Sequence, residues 1–275
     1  MWTIENGLPQ GSVNDMVQTE DGALWIATFG GLVRFDGIEF RTFDFDTLSN
    51  LPSVRVTALE RDGPNGLWIL TQGGNVLRFR DERIVEELQV PNPNQDVLSL
   101  VSLVKSEGGG IYLRGSAGGM WLYEKGAWSR PLGEFQSLGN YTDMCLDSNG
   151  RLAFPRDDVL VRLSGDKTIG AELPTPGRIT ALCAAPMGRL WVGLIDGLAV
   201  TKGDSVERVV LDPPLVLSVT ALLDDGNDGV WVGSTRGLQH LVLDRATNEW
   251  VRGPAPKTPL DTIGVQSLLY DREGN

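Results

Sequence analysis

The sequence predicts an all-β fold built from a repeated unit, and three observations support this prediction. Residues 22–37 read GALWIATFGGLVRFDG and residues 229–238 read GVWVGSTRGL, so a glycine, a tryptophan, small β-forming residues and a Gly-Leu pair recur in one order. Segments of strand length alternate with turn residues, and no window holds apolar residues at helical spacing for three turns. At intervals of 38 to 44 residues, turns of one type precede Trp25, Trp68, Tyr112, Ala153, Trp191 and Trp231. Similarity at a fixed period indicates a repeated supersecondary unit.

Each sequence repeat contains four strand-sized segments. The first ends in an acidic or glycine-rich turn, the second carries the aromatic residue, and a Gly-Leu turn leads into the third. The fourth carries an aromatic residue such as Phe43, Trp128 or Trp250. Four strands in a period of about 40 to 45 residues are typical of a propeller blade. The sequence therefore predicts a β-propeller with six complete blades at about residues 11–251.

The two ends of the sequence predict a split, incomplete seventh blade. Residues 1–9, MWTIENGLP, resemble the last strand of a blade with its exit turn, and residues 265–270 resemble an innermost strand. We expect Trp2–Glu5 to be the outer strand of this blade, whose two middle strands are absent from the sequence. On this interpretation residues 1–275 form a single propeller domain, a fragment of a longer protein.

The repeated tryptophans are interpreted as packing residues. A large ring on the second strand can fill the space between adjacent twisted sheets, and its indole nitrogen can bond a backbone carbonyl. We therefore expect Trp25, Trp68, Trp191 and Trp231 to be mostly buried between blades. Blade four has Ala153 in this position, so a bulge or a rearranged strand is expected there.

Composition argues against several functions. A net charge of −12 and a pI near 4.6 oppose binding to nucleic acid, which requires clustered Lys and Arg. The only histidine, His240, cannot form a triad or a zinc site alone. Acidic turns lack the ligand spacing of a calcium loop, and the glycine-rich segments lack the lysine and helix of a phosphate loop. No catalytic residue, metal or cofactor is predicted.

The two cysteines occupy equivalent positions in neighbouring blades. Cys145 and Cys183 each lie five residues before a turn glycine, Gly150 and Gly188. Innermost strands of adjacent blades are expected to be farther apart than the roughly 7 Å that a disulfide spans between Cα atoms. Two buried free thiols are therefore expected.

The first blade resembles the two-component regulator propeller family. The matching features are the NGLP lead-in, the D-G-x-L-W-I-x-T strand, the Gly-Leu turn and the R-F-D-G turn, all within residues 6–37. The resemblance implies the periplasmic sensor region of a bacterial histidine kinase, hybrid sensor or diguanylate cyclase. It implies a non-catalytic module that binds a small molecule, and carbohydrates are among the ligands of this family. It also implies a homodimer that forms through the full-length receptor. Any output kinase or cyclase activity would lie outside this chain.

Two other functions stay open. Streptogramin lyases resemble this fold and its repeats, but they need a placed His and Glu with a divalent metal. Here His240 aligns with Arg34, Arg78 and Arg162 on the third strands, which favours a blade-surface position over a catalytic base. A protein-docking or dimerisation platform is the other alternative.

The candidate ligand surface lies on the turns that join second to third strands. These turns vary while the strands repeat, which is consistent with recognition, although relaxed constraint on solvent loops gives the same pattern. They carry Ser116 and Thr235 besides the six candidate ligand-binding residues Phe29, Gln72, Arg156, Asp158, Asp196 and Arg236. Of these, Arg156, Asp196 and Arg236 are the best candidates to bind a polar or anionic ligand.

Overall fold

Six four-stranded antiparallel sheets make up the fold, and in each the strands follow chain order. The computed structural model describes residues 4–48, 50–91, 100–115, 119–132, 144–163, 169–212, 218–254 and 264–273. Within these residues the regular elements are strands and two short 3-10 turns, Ile4–Asn6 and Pro186–Gly188. The prediction of six complete four-stranded blades is confirmed.

Proximity of Cα atoms divides the chain into two compact units. The first unit comprises Met1–Gln136 with Leu269–Asn275, and the second comprises Ser137–Leu268. Each contains three sheets. The prediction of a single domain stays a prediction.

The first unit holds sheets one to three. Sheet one consists of β1 (Val13–Gln18), β2 (Leu24–Thr28), β3 (Gly31–Phe35) and β4 (Phe40–Phe43). Sheet two consists of β5 (Val56–Asp62), β6 (Gly66–Thr71), β7 (Val76–Arg80) and β8 (Arg83–Leu88). Sheet three consists of β9 (Leu100–Lys105), β10 (Ile111–Gly115), β11 (Met120–Glu124) and β12 (Ala127–Ser129).

The second unit holds sheets four to six. Sheet four consists of β13 (Cys145–Leu146), β14 (Leu152–Arg156), β15 (Val159–Leu163) and β16 (Ile169–Pro174). Sheet five consists of β17 (Ile179–Ala184), β18 (Leu190–Leu194), β19 (Gly197–Lys202) and β20 (Ser205–Arg208). Sheet six consists of β21 (Val219–Asp224), β22 (Gly229–Ser234), β23 (Gly237–Asp244) and β24 (Glu249–Arg252).

The recurring Gly-Leu pair has a steric cause. Gly31 begins β3 with a φ of +142°, and a Cβ at this position would lie 2.8 Å from the backbone oxygen of Phe43. A larger residue would be strained there and would push the fourth strand away. The repeat therefore keeps glycine where the chain enters its third strand.

The four repeated tryptophans are mostly buried, as predicted, and three of them are almost completely enclosed. Trp25, Trp68 and Trp191 are 4%, 2% and 1% exposed, and each belongs to a cluster that also contains apolar residues of the following sheet. Trp231 is more exposed than these three, and its ring stacks on His240 with centroids 4.2 Å apart. Trp231 is therefore the least enclosed of the four rings, although most of its surface is still covered.

The indole partners also differ from expectation. The indole N–H of Trp25 donates to the hydroxyl of Thr19 at 3.1 Å, and that of Trp191 donates to a carboxylate oxygen of Asp224 at 2.8 Å. Side-chain oxygens of the acidic turns therefore replace the backbone carbonyls that we expected. Because Asp224 belongs to sheet six, the second bond also joins neighbouring sheets.

Sheet four is more regular around Ala153 than predicted. Ala153 pairs with Cys145 and Arg162 in register, and both Ala153 and Phe154 are fully buried. The irregularity of this sheet lies instead between β15 and β16, where the register shifts after Arg162. A buried phenylalanine beside the alanine supplies apolar volume without disturbing the second strand.

The seventh blade is only partly as predicted. Met1–Thr3 lie outside the described residues, and Ile4–Asn6 form a 3-10 turn instead of a strand. Residues 264–270 are not part of a sheet. In each of the six sheets the innermost strand pairs with the second strand, and residues 264–270 have no such partner strand among the described residues.

Val265 nevertheless lies beside sheet six in the way that Val56, the first residue of β5, lies beside sheet one. Its carbonyl accepts a hydrogen bond from the hydroxyl of Thr220, as the carbonyl of Val56 accepts one from the side-chain amide of Asn14. Its amide donates to the carbonyl of Ser234 at 3.0 Å. The predicted placement of this segment beside sheet six is thus supported at its first residue.

Cys145 and Cys183 do not form a disulfide, as predicted, but they are half-buried instead of buried. In the part of the chain that the structure describes, no helix has the length and apolar character needed to span a bilayer.

Candidate functional site

Each sheet has two distinct ends, which we name by their connections. The loop end carries the turn from the second to the third strand, and the turn end carries the turn from the first to the second strand. The six residues predicted from the sequence all lie at loop ends. Because the chain forms two units, the loop ends of each unit are described separately.

In the first unit, Phe29 and Gln72 are brought together by a residue that the sequence analysis missed. The guanidinium of Arg55 lies over the ring of Phe29, 4.8 Å from the centroid. The backbone carbonyl of Arg55 accepts a hydrogen bond from the backbone amide of Gln72 at 2.8 Å. Phe29 is half-buried, whereas Arg55 and Gln72 are exposed. The predicted loop residue Ser116 lies outside the described residues.

A hydroxyl at the end of the second strand braces these turns. The Thr28 hydroxyl accepts a hydrogen bond from the Gly30 amide at 3.1 Å and donates to the Gly31 carbonyl at 2.8 Å. Ser234 makes the equivalent pair of bonds, with the Arg236 amide and the Gly237 carbonyl. The loop end is therefore presented on turns whose backbone is fixed, which suits recognition.

In the second unit, Arg156 is neutralised within its own sheet. It is the last residue of β14, is half-buried, and forms an ion pair with Glu172 of β16. A guanidinium already paired with a carboxylate has less to offer an anionic ligand. The expectation that Arg156 is among the best anion-binding residues is therefore weakened by its partner.

Asp196 is likewise paired. Its carboxylate lies 3.0 Å from the guanidinium of Arg208, which also donates to the carbonyl of Pro176. The neighbouring residue Thr175 donates its amide to the carbonyl of Asp158 at 2.9 Å. The segment around Thr175 and Pro176 thus brings Asp158 and Asp196 to one surface.

Arg236 differs from Arg156. Its side chain is exposed, and no carboxylate in the described residues forms an ion pair with it. The neighbouring Thr235 lies beside Gly264. Arg236 therefore stays available for a ligand, without a neighbouring aromatic ring among its described contacts.

The turn end carries carboxylates in structural ion pairs. Asp62 is buried and accepts hydrogen bonds from Arg78 at 2.6 Å and Arg80 at 2.7 Å. Burial raises the pKa of Asp62, but the hydrogen bonds and charges of the two arginines outweigh it, so the pKa is lowered overall. Asp62 therefore stays ionised at neutral pH and holds β7 against the turn.

His240 belongs to this structural set. It pairs across β22 and β23 with Trp231, as Arg34, Arg78 and Arg162 pair with the corresponding residues, so the predicted alignment is confirmed. Its Nε2 lies 2.8 Å from a carboxylate oxygen of Asp225.

The histidine is enclosed on its other side too. Its side chain is 12% exposed, and its Nδ1 is buried without a hydrogen-bond partner among the described atoms. Burial raises the pKa of Asp225, but hydrogen bonds from Asn227, His240 and Gly229 lower it overall. The ring is therefore positioned to complete a packed turn, and neither nitrogen is presented to a substrate.

A groove outside the predicted surface runs along the outer strands β20 and β24. Its volume is about 890 Å³, and its lining includes Trp250, Val210, Leu211, Lys202 and Arg252. Sequence reasoning missed it because its walls come from residues of two sheets that repeat only weakly. Within the described residues, no cluster of three or more His, Cys, Asp or Glu is placed to hold a metal ion.

Comparison by sequence supports the resemblance noted above. Residues 7–30 match the family described as two component regulator propeller. The matched segment includes the lead-in, β1 and β2, where the resemblance was strongest. No curated protein matches the chain.

Comparison by structure shows the fold. A streptogramin B lyase is 14% identical with a TM-score of 0.77, and the alignment covers 98% of this chain and 90% of that one. The extracellular domain of the hybrid two component system BT3049 from B. thetaiotaomicron is 17% identical with a TM-score of 0.70, covering 95% and 37%. A catalytically inactive virginiamycin B lyase from Staphylococcus aureus with quinupristin, a histidine-to-alanine variant, is 14% identical with a TM-score of 0.71, covering 93% and 88%.

These likenesses define the class of protein. The chain has the β-propeller fold, with six four-stranded blades, as the sequence predicts. It resembles the two component regulator propellers in its first blade and spans 37% of the length of the BT3049 extracellular domain.

Proposed function

We propose that this chain is a non-catalytic sensor propeller of a bacterial signal-transduction receptor, located in the periplasm. The observation that carries the proposal is the family match at residues 7–30. The fold shared with the extracellular domain of a hybrid two component system supports it. In this proposal the propeller binds a small polar molecule, a carbohydrate or an anion, and signals through parts of a full-length, homodimeric receptor outside this chain.

We place the input surface at the loop ends. The supporting observations are the blade-to-blade variation of these turns, their braced backbones and the exposed side chains of Gln72 and Arg236. In the first unit, Phe29 and Arg55 add an aromatic face and a cation beside Gln72. Such a mixture of apolar and polar groups can orient a small ligand.

A thermal-shift screen of neutral sugars and organic acids tests this proposal. A ligand that binds only the folded state raises the melting temperature in a concentration-dependent way. We expect at least one compound to do so, and alanine substitutions at Arg156 and Arg236 together to reduce the response. Unchanged binding in the double variant, together with unchanged signalling by the full-length receptor, would show that the loop ends of the second unit are not the input site.

The lyase function is the second candidate, because streptogramin lyases share the fold over almost the whole chain. The enclosure of His240 between Asp225 and Trp231 argues against it. Incubation with quinupristin and Mg²⁺, followed by chromatography, separates the two functions. We expect quinupristin to remain intact, and its conversion would overturn the non-catalytic proposal.

A further inference from the structure

The arginines near the loop ends differ in whether their charge is already neutralised. Arg156 pairs with Glu172, and Arg208 pairs with Asp196. Arg55 has no carboxylate partner among the described residues. We propose that Arg55, stacked on Phe29, binds an oxyanion of the ligand, and that the ligand of this propeller is therefore an anion. This inference rests on the proposed function, because it names the ligand class of the same surface.

Stacking prepares the guanidinium of Arg55 for an anion. A guanidinium over an aromatic face is attracted by the ring, which limits the motion of its plane. The Arg55 side chain is exposed, so its N–H donors stay accessible to a carboxylate or sulfate. A planar fork of donors can bind two oxygens at once, which gives both strength and orientation.

The backbone of Arg55 is held at both of its polar groups. Its amide donates to the hydroxyl of Ser53 at 3.2 Å, and its carbonyl accepts the Gln72 amide at 2.8 Å. The ring beneath it belongs to the turn that Thr28 braces. Less side-chain and backbone freedom is therefore lost when a ligand binds.

Gln72 adds a neutral donor beside the cation. Its backbone bond to Arg55 fixes the two residues next to each other, and its side chain is exposed. A primary amide can donate to a second ligand oxygen or to a hydroxyl. Arg236 is also without an ion pair among the described residues, but no ring of these residues lies beneath it. We therefore assign the larger contribution to Arg55.

The experiment uses isothermal titration of the whole chain at low ionic strength, because salt screens exposed charges. The probes are sodium sulfate, sodium citrate, and the matched pair glucuronate and glucose, which differ in one carboxylate. The variants are R55Q, R55K and F29L. The matched control is R83Q, which removes one exposed cation at the β7–β8 turn and leaves the loop ends intact. Melting temperatures establish that every variant is folded.

We expect at least one anionic probe to bind and R55Q to weaken it about tenfold or more, since a lost hydrogen bond to a charged group has an effect of this size. R55K should retain part of the affinity, F29L should weaken it less than R55Q does, and R83Q should stay within about twofold. An anion bound equally well by R55Q overturns the assignment to Arg55. Binding of glucose alone overturns the anionic class but leaves the sensor function standing, whereas the absence of any ligand in both this titration and the wider screen counts against both.

Discussion

The two ends of the sheets use charged residues in opposite ways. At the turn end, carboxylates such as Asp62 and Asp225 are enclosed and bonded to arginine or histidine of their own sheet. At the loop end, Gln72 and Arg236 are exposed, and the pairs that do form, such as Arg156 with Glu172, lie at the surface. The turn end thus repeats a structural arrangement, whereas the loop end carries more exposed side chains whose chemistry changes from blade to blade.

The largest expected effect concerns the tryptophans anchored at the turn end. W191A removes a ring that is 1% exposed and leaves Asp224 without its indole donor, so we expect a loss of about 3–5 kcal/mol in the free energy of unfolding. W231A should cost roughly 2 kcal/mol, because this ring is half-buried. Urea denaturation of both variants measures the difference. If the two variants lose the same free energy of unfolding, burial does not determine how much each tryptophan contributes to stability.

The next effect concerns Asp62. D62N removes the carboxylate shared by Arg78 and Arg80, and we expect a loss of about 1–3 kcal/mol at pH 7, since both arginines are partly exposed and solvent screens them. A loss below about 0.5 kcal/mol would show that the turn end is no more structural than a surface ion pair.

The ion pairs of Asp62 with Arg78 and Arg80 also predict that the stability of the protein depends on pH. The pKa of Asp62 is lowered by folding, so its contribution is fully present above its unfolded-state pKa of about 3.9 and is lost as pH falls through the lower folded-state pKa. The wild type should therefore lose more stability than D62N between pH 5 and pH 3. Melting temperatures of the two proteins measured over this range test the prediction. If both fall by the same amount, Asp62 does not supply the pH-dependent stability.

The sequence predicts the turn end better than the loop end, for a physical reason. The turn glycines and second-strand tryptophans repeat because each blade meets the same steric and packing demand, so one period places six sheets. The contact of Arg55 with Phe29 joins different sheets and occurs without such a repeat. The ion pair of Arg156 with Glu172 likewise depends on register between β14, β15 and β16, which no motif in the sequence records.

A smaller effect is expected at His240. H240A leaves Asp225 without a side-chain partner and uncovers one face of Trp231, so we expect a loss of about 1–2 kcal/mol in stability. The response of the protein to its ligand should not change, because the ring lies at the turn end. Stability from urea denaturation and the ligand-induced thermal shift measure the two quantities separately. A lost ligand response at a temperature where H240A is folded would place function at the turn end.

The smallest stability effect is expected at the loop end itself. R156A and E172A remove either partner of a surface ion pair, and each should change the free energy of unfolding by less than about 1 kcal/mol. If Glu172 restrains Arg156, then E172A should free this arginine and strengthen the binding of an anionic probe, whereas R156A alone should change it little. R236A is the matched comparison, since Arg236 has no ion pair among the described residues and its loss should weaken binding directly. If R156A binds the anionic probe more weakly than R236A does, the ion pair with Glu172 must open when the ligand binds. The sequence-based choice of Arg156 as an anion-binding residue would then be correct.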